Sequence, residues 1–253
     1  MSDLFIKEKM KMYEITHTIS YSDVSTSGKA DIAQIACFFQ DCASFHSDSV
    51  GAGARQLRSE KGCVWMLNSW QIEVDRYPEY GEKLRIVTNP YDFEKVFAKR
   101  NFMLYDETGA RIAAANSFWF MFDIGTMHPR RLTEDITSVY ELGEKEPLRE
   151  YAPRMIRYSK EELESAEKEE PILIRHSYCD TNRHMNNVWY IRLGLELLPE
   201  DFKVSAMRAE YRTGVFAGEM IYPRIIDKEG PVRRIVLEDA KGGVCTVLSF
   251  TGE

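Results

Sequence analysis

The residues between positions 176 and 191 bring together side chains that can carry out acid–base chemistry. Asp180, Asn182 and His184 alternate with single residues, so an extended or turn-like backbone would present all three on one side. A carboxylate can orient and activate water, and an imidazole can polarise a carbonyl group or relay a proton. The pattern therefore predicts water attack on a carbonyl carbon, with Asp180 acting directly or through Asn182. Nothing in the pattern requires a metal ion.

The same stretch ends where a strand gives way to a predicted helix over residues 186–198, which opens with Asn186 and Asn187. The free N–H groups at the start of a helix favour a developing negative charge. We therefore expect His184 and the amides near Asn186 to bind a carbonyl oxygen as it becomes an oxyanion. An Asp or Asn before a helix is often only an N-cap, but a cap needs one polar residue and this segment has five.

The chain repeats itself, which places this segment within a larger pattern. A Glu, seven intervening residues and then Gly-Glu occur at residues 73–82 and again at 210–219. A Tyr-x-Asp triplet occurs at Tyr21–Asp23 and at Tyr178–Asp180, and the first half carries an insertion near residues 51–61. No His or Asn follows the first triplet. This asymmetry predicts one active site in the second half and a binding cavity in the first.

Each half is predicted to contain a strand, a helix and four antiparallel strands. The first helix covers about residues 30–45, where apolar side chains recur at spacings of three and four. The strands after the helices are expected at about Val64–Val74, Lys83–Phe93, Val96–Tyr105, Arg111–Asp123, Ser205–Tyr211, Met220–Asp227, Arg233–Glu238 and Val244–Phe250.

A lone amphipathic helix must be buried against a sheet that curves around it, which is the hotdog arrangement. We therefore predict an α+β fold of two tandem hotdogs. The expected units are residues 1–130 with the binding cavity, 131–170 as a linker, and 171–253 with the catalytic segment.

Composition narrows the class of protein. The chain has 253 residues and a formal charge of −7, whereas nucleic-acid-binding domains more often carry a basic excess. It has no long apolar run, so membrane insertion is not expected. Five cysteines without a CxxC pair favour reduced thiols. The first residues lack the apolar stretch of a secretory signal, so we expect a cytoplasmic protein.

The sequence resembles the acyl-acyl carrier protein thioesterases of plants and bacteria. The resemblance runs from about Tyr13 to Phe250 and is carried by the Trp-rich segment 65–82, the segments 100–109 and 115–131, and an Asp-x-Asn-x-His-x-Asn-Asn-x-x-Tyr-Ile motif at residues 180–191. It implies hydrolysis of a fatty acyl thioester held on the phosphopantetheine arm of acyl carrier protein, without a cofactor. It also implies catalytic roles for Asp180, Asn182 and His184.

One departure from the family pattern concerns the segment after Glu210. The family usually has a Glu-Cys pair where this chain has Gly214 and Val215. Their absence argues against a Cys nucleophile and favours direct attack by water. Asp180 or another carboxylate would then be the base. Glu210 and Glu219 are weaker candidates, because the other half repeats both of them.

The acyl chain is expected to occupy a tunnel in the first half. The tunnel residues proposed from the sequence are Phe39, Trp65, Met66 and Trp119, for which core packing is the alternative role. Two other functions stay open, namely an acyl-coenzyme A thioesterase and a non-catalytic acyl-binding hotdog protein.

Acyl carrier protein is acidic, so docking on this acidic chain needs a local basic patch. The sequence offers three basic clusters: Lys95, Lys99 and Arg100; Arg130 and Arg131; and Arg233 and Arg234. The sequence leaves a homodimer open.

Overall fold

The computed structural model describes residues 12–253. Residues 1–11 lie outside the described residues. They include the start of the first expected domain and part of the N-terminal segment for which we expect no secretory signal. The described strands form one twelve-stranded sheet. They are β1 Tyr13–Thr18, β2 Cys63–Val74, β3 Lys83–Glu94, β4 Phe97–Tyr105, β5 Arg111–Asp123, β6 His128–Arg130, β7 Glu167–Lys168, β8 Ile172–Leu173, β9 Val204–Tyr211, β10 Met220–Ile225, β11 Val232–Glu238 and β12 Val244–Gly252.

The sheet has the order β1-β3-β4-β5-β2-β9-β12-β11-β10-β7, with β6 beside β5 and β8 beside β10. The helices are α1 Ile32–Ser49, α2 Ala54–Gln56, which continues into a π turn over Leu57–Lys61, α3 Glu134–Thr137, α4 Lys160–Ser165 and α5 Asn187–Leu195. Short 3-10 helices lie at Tyr21–Asp23 and His176–Tyr178. None of the helices between residues 12 and 253 is long and apolar enough to cross a membrane.

Each half of the sheet encloses one long helix. Helix α1 starts at Asp31, whose carboxylate accepts the Gln34 N–H at 2.7 Å, and it buries Ile35 and Phe39 against the first-half strands. Helix α5 lies against β12 at Gly194, where an added Cβ would be 2.4 Å from the Leu248 side chain. Only glycine allows this close approach. The predicted α+β double hotdog is confirmed.

The two halves join through β2 and β9. These strands pair antiparallel from Ser69 opposite Glu210 to Glu73 opposite Ala206, which makes the sheet continuous. Their inward side chains, including Trp70 and Met207, contribute to one core shared by both halves. Helices α1 and α5 consequently lie side by side on the same face of the sheet.

The segment between the halves crosses the outer face of this central pair and is held there by two buried glutamates. The Glu73 carboxylate accepts the backbone N–H groups of Arg149 and Glu150, at 2.9 and 3.4 Å. The Glu210 carboxylate accepts the N–H of Ile156 at 2.8 Å. The repeated glutamates therefore anchor the linker. The exact domain boundaries proposed from the sequence stay a prediction.

We expect Glu73→Ala to lower the free energy of unfolding by about 1–3 kcal/mol, because it leaves two linker N–H groups without an acceptor. Urea denaturation would measure this loss. The control is Glu79→Ala, which removes only an exposed ion pair with Lys29 and should cost less than about 1 kcal/mol. Equal losses in the two variants would contradict an anchoring role for Glu73.

Candidate functional site

The predicted catalytic segment forms a tight turn and not an extended strand. The Asp180 N–H donates to the His184 carbonyl at 2.8 Å, and the Arg183 N–H donates to the Asp180 carbonyl at 2.9 Å. Arg183 closes the turn with a φ of 65°, in the left-handed region. The turn brings Asp180, Asn182 and His184 into one short loop immediately before α5.

Within this turn the side chains of Asp180 and Asn182 contact each other. The Asp180 carboxylate accepts the Asn182 backbone N–H at 2.7 Å and its side-chain amide at 3.4 Å. The Asn182 side-chain oxygen accepts a hydrogen bond from Arg58, which belongs to the π turn after α2. The insertion of the first half thus contacts the polar turn of the second half.

The imidazole of His184 is positioned by a different set of contacts. Its ring meets the Phe216 ring edge-on, with centroids 4.4 Å apart, and the two residues form a β-bridge. A Cβ added at Gly214 would lie 3.0 Å from His184 Nδ1. The residue that replaces the family's usual glutamate therefore lies against this ring. Among residues 12–253, no hydrogen bond joins the His184 ring to Asp180 or Asn182.

The start of α5 offers one backbone donor to a ligand. The Asn186 side chain is the N-cap, since its oxygen accepts the Val188 N–H at 3.1 Å. The Asn187 carbonyl accepts the Tyr211 hydroxyl at 2.9 Å, but its N–H has no acceptor among the described residues. The side-chain oxygen of Asn186 is thus occupied by capping. The N–H of Asn187 is left to bind a carbonyl oxygen.

The equivalent aspartate in the first half is fully engaged in local structure. The Asp23 carboxylate contacts His17 Nε2 at 2.8 Å and accepts the Ser20 N–H at 2.8 Å and the Gln34 side-chain amide at 3.1 Å. This contrast fits a single site in the second half. The other carboxylates considered as bases are also engaged: besides Glu210, the Glu219 carboxylate accepts the Phe216 N–H at 2.8 Å.

A cavity of about 150 Å³ lies in the first half, beside the C-terminal part of α1. Trp65 and Trp119 line it as expected, but Phe39 and Met66 do not. Phe39 is fully buried against Trp70 and Phe102. Met66 follows Trp65 in β2, so its side chain points to the opposite face of the sheet.

The insertion contacts both the cavity and the polar turn. Ala54, the first residue of α2, lines the cavity, and Arg58 one helical turn later contacts Asn182. We refer to the cavity, the insertion and the polar turn together as the composite site.

Arg100 lines this cavity instead of a docking surface, because it is only 7% exposed. Its Nη1 lies 2.9 Å from His46 Nδ1. Burial, followed by the nearby charge of Arg100, lowers the pKa of His46 to about 3. His46 is therefore neutral at pH 7, and its Nδ1 accepts a hydrogen bond from the Arg100 guanidinium. No pattern in the sequence indicates this pair.

The other basic clusters are largely neutralised or buried. Lys99 pairs with Asp92 and Glu94, and Arg234 pairs with Asp227 and Glu162. Arg130 lies 3.9 Å from Asp123, and Arg233 is 9% exposed. Arg55 and Arg58 in the insertion and Arg183 in the polar turn form no ion pair with a carboxylate among the described residues.

Residues 12–253 contain no group of three or more His, Cys, Asp or Glu side chains arranged to hold a metal ion. The expectation that the site needs no metal stays a prediction.

The fold and the composite site define a double hotdog protein with one polar site. Residues 10–140 match the acyl-ACP thioesterase N-terminal domain, and residues 160–227 match the C-terminal domain of the same family, where ACP is acyl carrier protein. The chain therefore belongs to the acyl-ACP thioesterase family.

Curated relatives are similar over part of their length. A chloroplastic palmitoyl-acyl carrier protein thioesterase of Gossypium hirsutum is 26% identical over 203 residues, which are 75% of this chain and 49% of the relative. The oleoyl-acyl carrier protein thioesterase 2 of Arabidopsis thaliana is 27% identical, over 71% of this chain and 52% of the relative. The chain thus spans about half the length of these relatives. Because they are chloroplastic, the cytoplasmic location stays a prediction.

Solved structures support the fold. An acyl-ACP thioesterase from Bacteroides thetaiotaomicron superposes with a TM-score of 0.86 at 22% identity, covering 96% of this chain and 98% of the other. The 12:0-ACP thioesterase from Umbellularia californica has a TM-score of 0.84 at 17% identity, with the same coverage.

The neutral state of His46 makes stability depend on pH. The unfolded chain binds a proton at His46 below about pH 6.5, whereas the folded chain does not do so until about pH 3. Stability therefore falls as the pH decreases from 6.5. Between pH 7 and pH 5 the wild type should lose about 2 kcal/mol more than His46→Gln, which keeps an acceptor for Arg100. Parallel urea-denaturation curves for the two proteins would contradict this assignment.

Proposed function

We propose that this protein hydrolyses fatty acyl-ACP thioesters to a free fatty acid and holo acyl carrier protein. The observation that carries the proposal is the contact between Arg58 and Asn182, which joins the cavity of one half to the polar turn of the other. A thioester carbonyl bound at this junction would have its acyl chain in the cavity and its phosphopantetheine arm toward solvent. Both halves of the site come from one chain, so it does not depend on a homodimer.

In the proposed reaction, Asp180 accepts a proton from water as the water oxygen bonds to the thioester carbon. The developing oxyanion is bound by the Asn187 N–H and by His184 at the start of α5. Asn182, held by Arg58, keeps the Asp180 carboxylate in place. The carbon–sulfur bond then breaks, and the proton passes to the departing thiolate. A thiol has a pKa near that of Cys, so the leaving group needs little acid assistance.

Asp180 is proposed as the base because the alternatives are engaged elsewhere. Glu210 holds the linker and Glu219 holds its own turn. Asp180 receives hydrogen bonds only from Asn182 among the described residues. Its carboxylate therefore has acceptor positions available for a water molecule.

Docking of the acidic carrier is proposed at Arg55, Arg58 and Arg183. Arg58 and Arg183 flank Asn182, and Arg55 lies three residues before Arg58 on the same helical surface. An acidic helix bound there would place the phosphopantetheine thioester at the polar turn.

We expect Asp180→Asn and His184→Ala to lower kcat/KM on acyl-ACP by about 10²–10⁴-fold, because each removes a proton-transfer or oxyanion-binding group. Hydrolysis of acyl-ACP with chains of several lengths would measure it, with folding checked by circular dichroism. Asp23→Asn is the matched control and should retain activity within about threefold. Wild-type inactivity on every chain, with acyl chains still bound, would instead indicate a binding protein.

Charge reversal at the proposed docking surface should change KM for acyl-ACP but not for acyl-coenzyme A. Arg55→Glu should raise KM for acyl-ACP about tenfold, because a like charge replaces an attractive one, and leave KM for the matching acyl-coenzyme A nearly unchanged. Lys83→Glu, at the exposed start of β3, is the control and should change neither KM. Equal effects of Arg55→Glu on both substrates would contradict docking of the carrier at this surface.

A further inference from the structure

The wall of the cavity contains a buried cation that no carboxylate neutralises. Arg100 lies on β4 and is 7% exposed, and its guanidinium faces the cavity beside Trp65, Trp119 and Tyr140. No carboxylate of residues 12–253 lies within ion-pairing distance of it. Asp48 also lines the cavity, at an exposed position, and forms no ion pair with Arg100. An uncompensated buried charge is costly, so this arginine needs a reason for its position.

The protein satisfies only part of the guanidinium. Its Nη1 bonds to His46 Nδ1 at 2.9 Å and to Thr88 Oγ1 at 3.2 Å, and its carbon lies 5.7 Å from the centre of the Tyr140 ring. Nε and Nη2 have no acceptor among the described residues. All three neighbours are uncharged, so they supply hydrogen bonds without a counter-charge. Two donor groups of this cavity-lining residue thus have no acceptor within the described protein.

Most other cavity-lining groups are apolar or already paired; the exceptions among the described residues are the exposed Asp48 carboxylate and the Trp65 N–H, which has no acceptor. Pro90, Phe93 and Ala98 contribute carbon surface. The Ser47 hydroxyl accepts the hydrogen bond of Tyr140 at 3.0 Å, and the Trp119 N–H donates to Ser117 at 2.7 Å. A ligand in this cavity would therefore meet carbon on most sides and a guanidinium on one side.

An unmodified alkyl end is a poor match for such a wall. A methyl group against Arg100 would displace water from the guanidinium and offer no acceptor in exchange. The volume is also small, since a cavity of about 150 Å³ holds a group of roughly benzene size. A short chain that ends in an oxygen-bearing group would fit the volume. Its oxygen would accept hydrogen bonds from the unpaired N–H groups of Arg100.

We propose that this cavity binds the far end of a short acyl chain that carries an oxygen there, as a hydroxyl, carbonyl or carboxylate group, and that Arg100 recognises this oxygen. The inference rests on the proposed function for the thioester at the other end of the chain. It adds a substrate class, namely acyl thioesters that carry an oxygen at the end far from the thioester.

The test compares sets of acyl-ACP thioesters of equal length, from six carbons upward, that end in a methyl, a hydroxyl or a carboxylate group. Wild type should show a higher kcat/KM for at least one oxygenated chain than for the methyl-terminated chain. Arg100→Met should lower that ratio at least tenfold, because it removes a charge-assisted hydrogen bond, while Arg100→Lys should retain part of it. Arg85→Met, at an exposed position on β3, is the control and should leave the ratio unchanged.

A binding measurement distinguishes failure of this inference from failure of the proposed function. Trp65 and Trp119 line the cavity, so tryptophan fluorescence can compare a six-carbon dicarboxylate with the matching monocarboxylate. Tighter dicarboxylate binding that depends on Arg100, in a protein inert on every thioester, would support the cavity proposal and overturn hydrolysis. Hydrolysis of methyl-terminated chains with ratios unaffected by Arg100→Met would support hydrolysis and overturn the cavity proposal. If Arg100→Met does not fold, the wild type alone provides the test. Tighter binding of the dicarboxylate than of the monocarboxylate would support the cavity proposal, and equal or weaker binding would overturn it.

Discussion

The pairing of β2 with β9 is the constraint on which the rest of this structure depends. Five residue pairs, from Ser69 opposite Glu210 to Glu73 opposite Ala206, merge two curved sheets into one. The pairing brings α1 beside α5, where the Arg192 guanidinium donates to the Gln34 side-chain oxygen at 2.9 Å. A helical insertion after α1 can consequently reach a turn that lies 124 residues later in the chain.

The same pairing explains which repeated residues are structural. Glu73 and Glu210 lie at opposite ends of the paired region and point to the outer face, where each accepts linker N–H groups. They recur in both halves because both ends of the linker crossing need an acceptor. Asp23 and Asp180 also recur, but only the first is enclosed by three donors or ring contacts. Repetition therefore marks the scaffold, and the differences between the halves mark the site.

Most of the fold could be predicted from the sequence, because period-two and helical patterns report burial directly. The predicted strand Arg111–Asp123 has the observed bounds, and α1 extends four residues beyond its predicted end to Ser49. The sequence also indicates the polar segment before α5, but the alternation of Asp180, Asn182 and His184 fits both an extended strand and a turn.

The composite character of the site could not be predicted. Arg58 and Asn182 meet only because the sheet is continuous, and no local pattern encodes that contact. Lys99 and Arg100 look like one basic pair in the sequence, but neighbours in a strand point to opposite faces. Lys99 therefore forms surface ion pairs, while Arg100 enters the cavity. Trp65 and Met66 are likewise neighbours in β2, so their side chains point to opposite faces and only Trp65 lines the cavity.

The placement of Arg100 gives the first half a role beyond shape. A cavity lined by carbon alone would discriminate acyl chains mainly by length, and each methylene contributes only about 1 kcal/mol. A buried guanidinium also discriminates chain ends by polarity. A chain end without a hydrogen-bond acceptor leaves the guanidinium desolvated and unpaired, whereas a chain end with an acceptor forms a hydrogen bond to it. His46 sharpens this discrimination, since it stays neutral and supplies a hydrogen bond without neutralising the charge. The half that lost the polar turn thus retains a recognition element suited to the far end of the substrate.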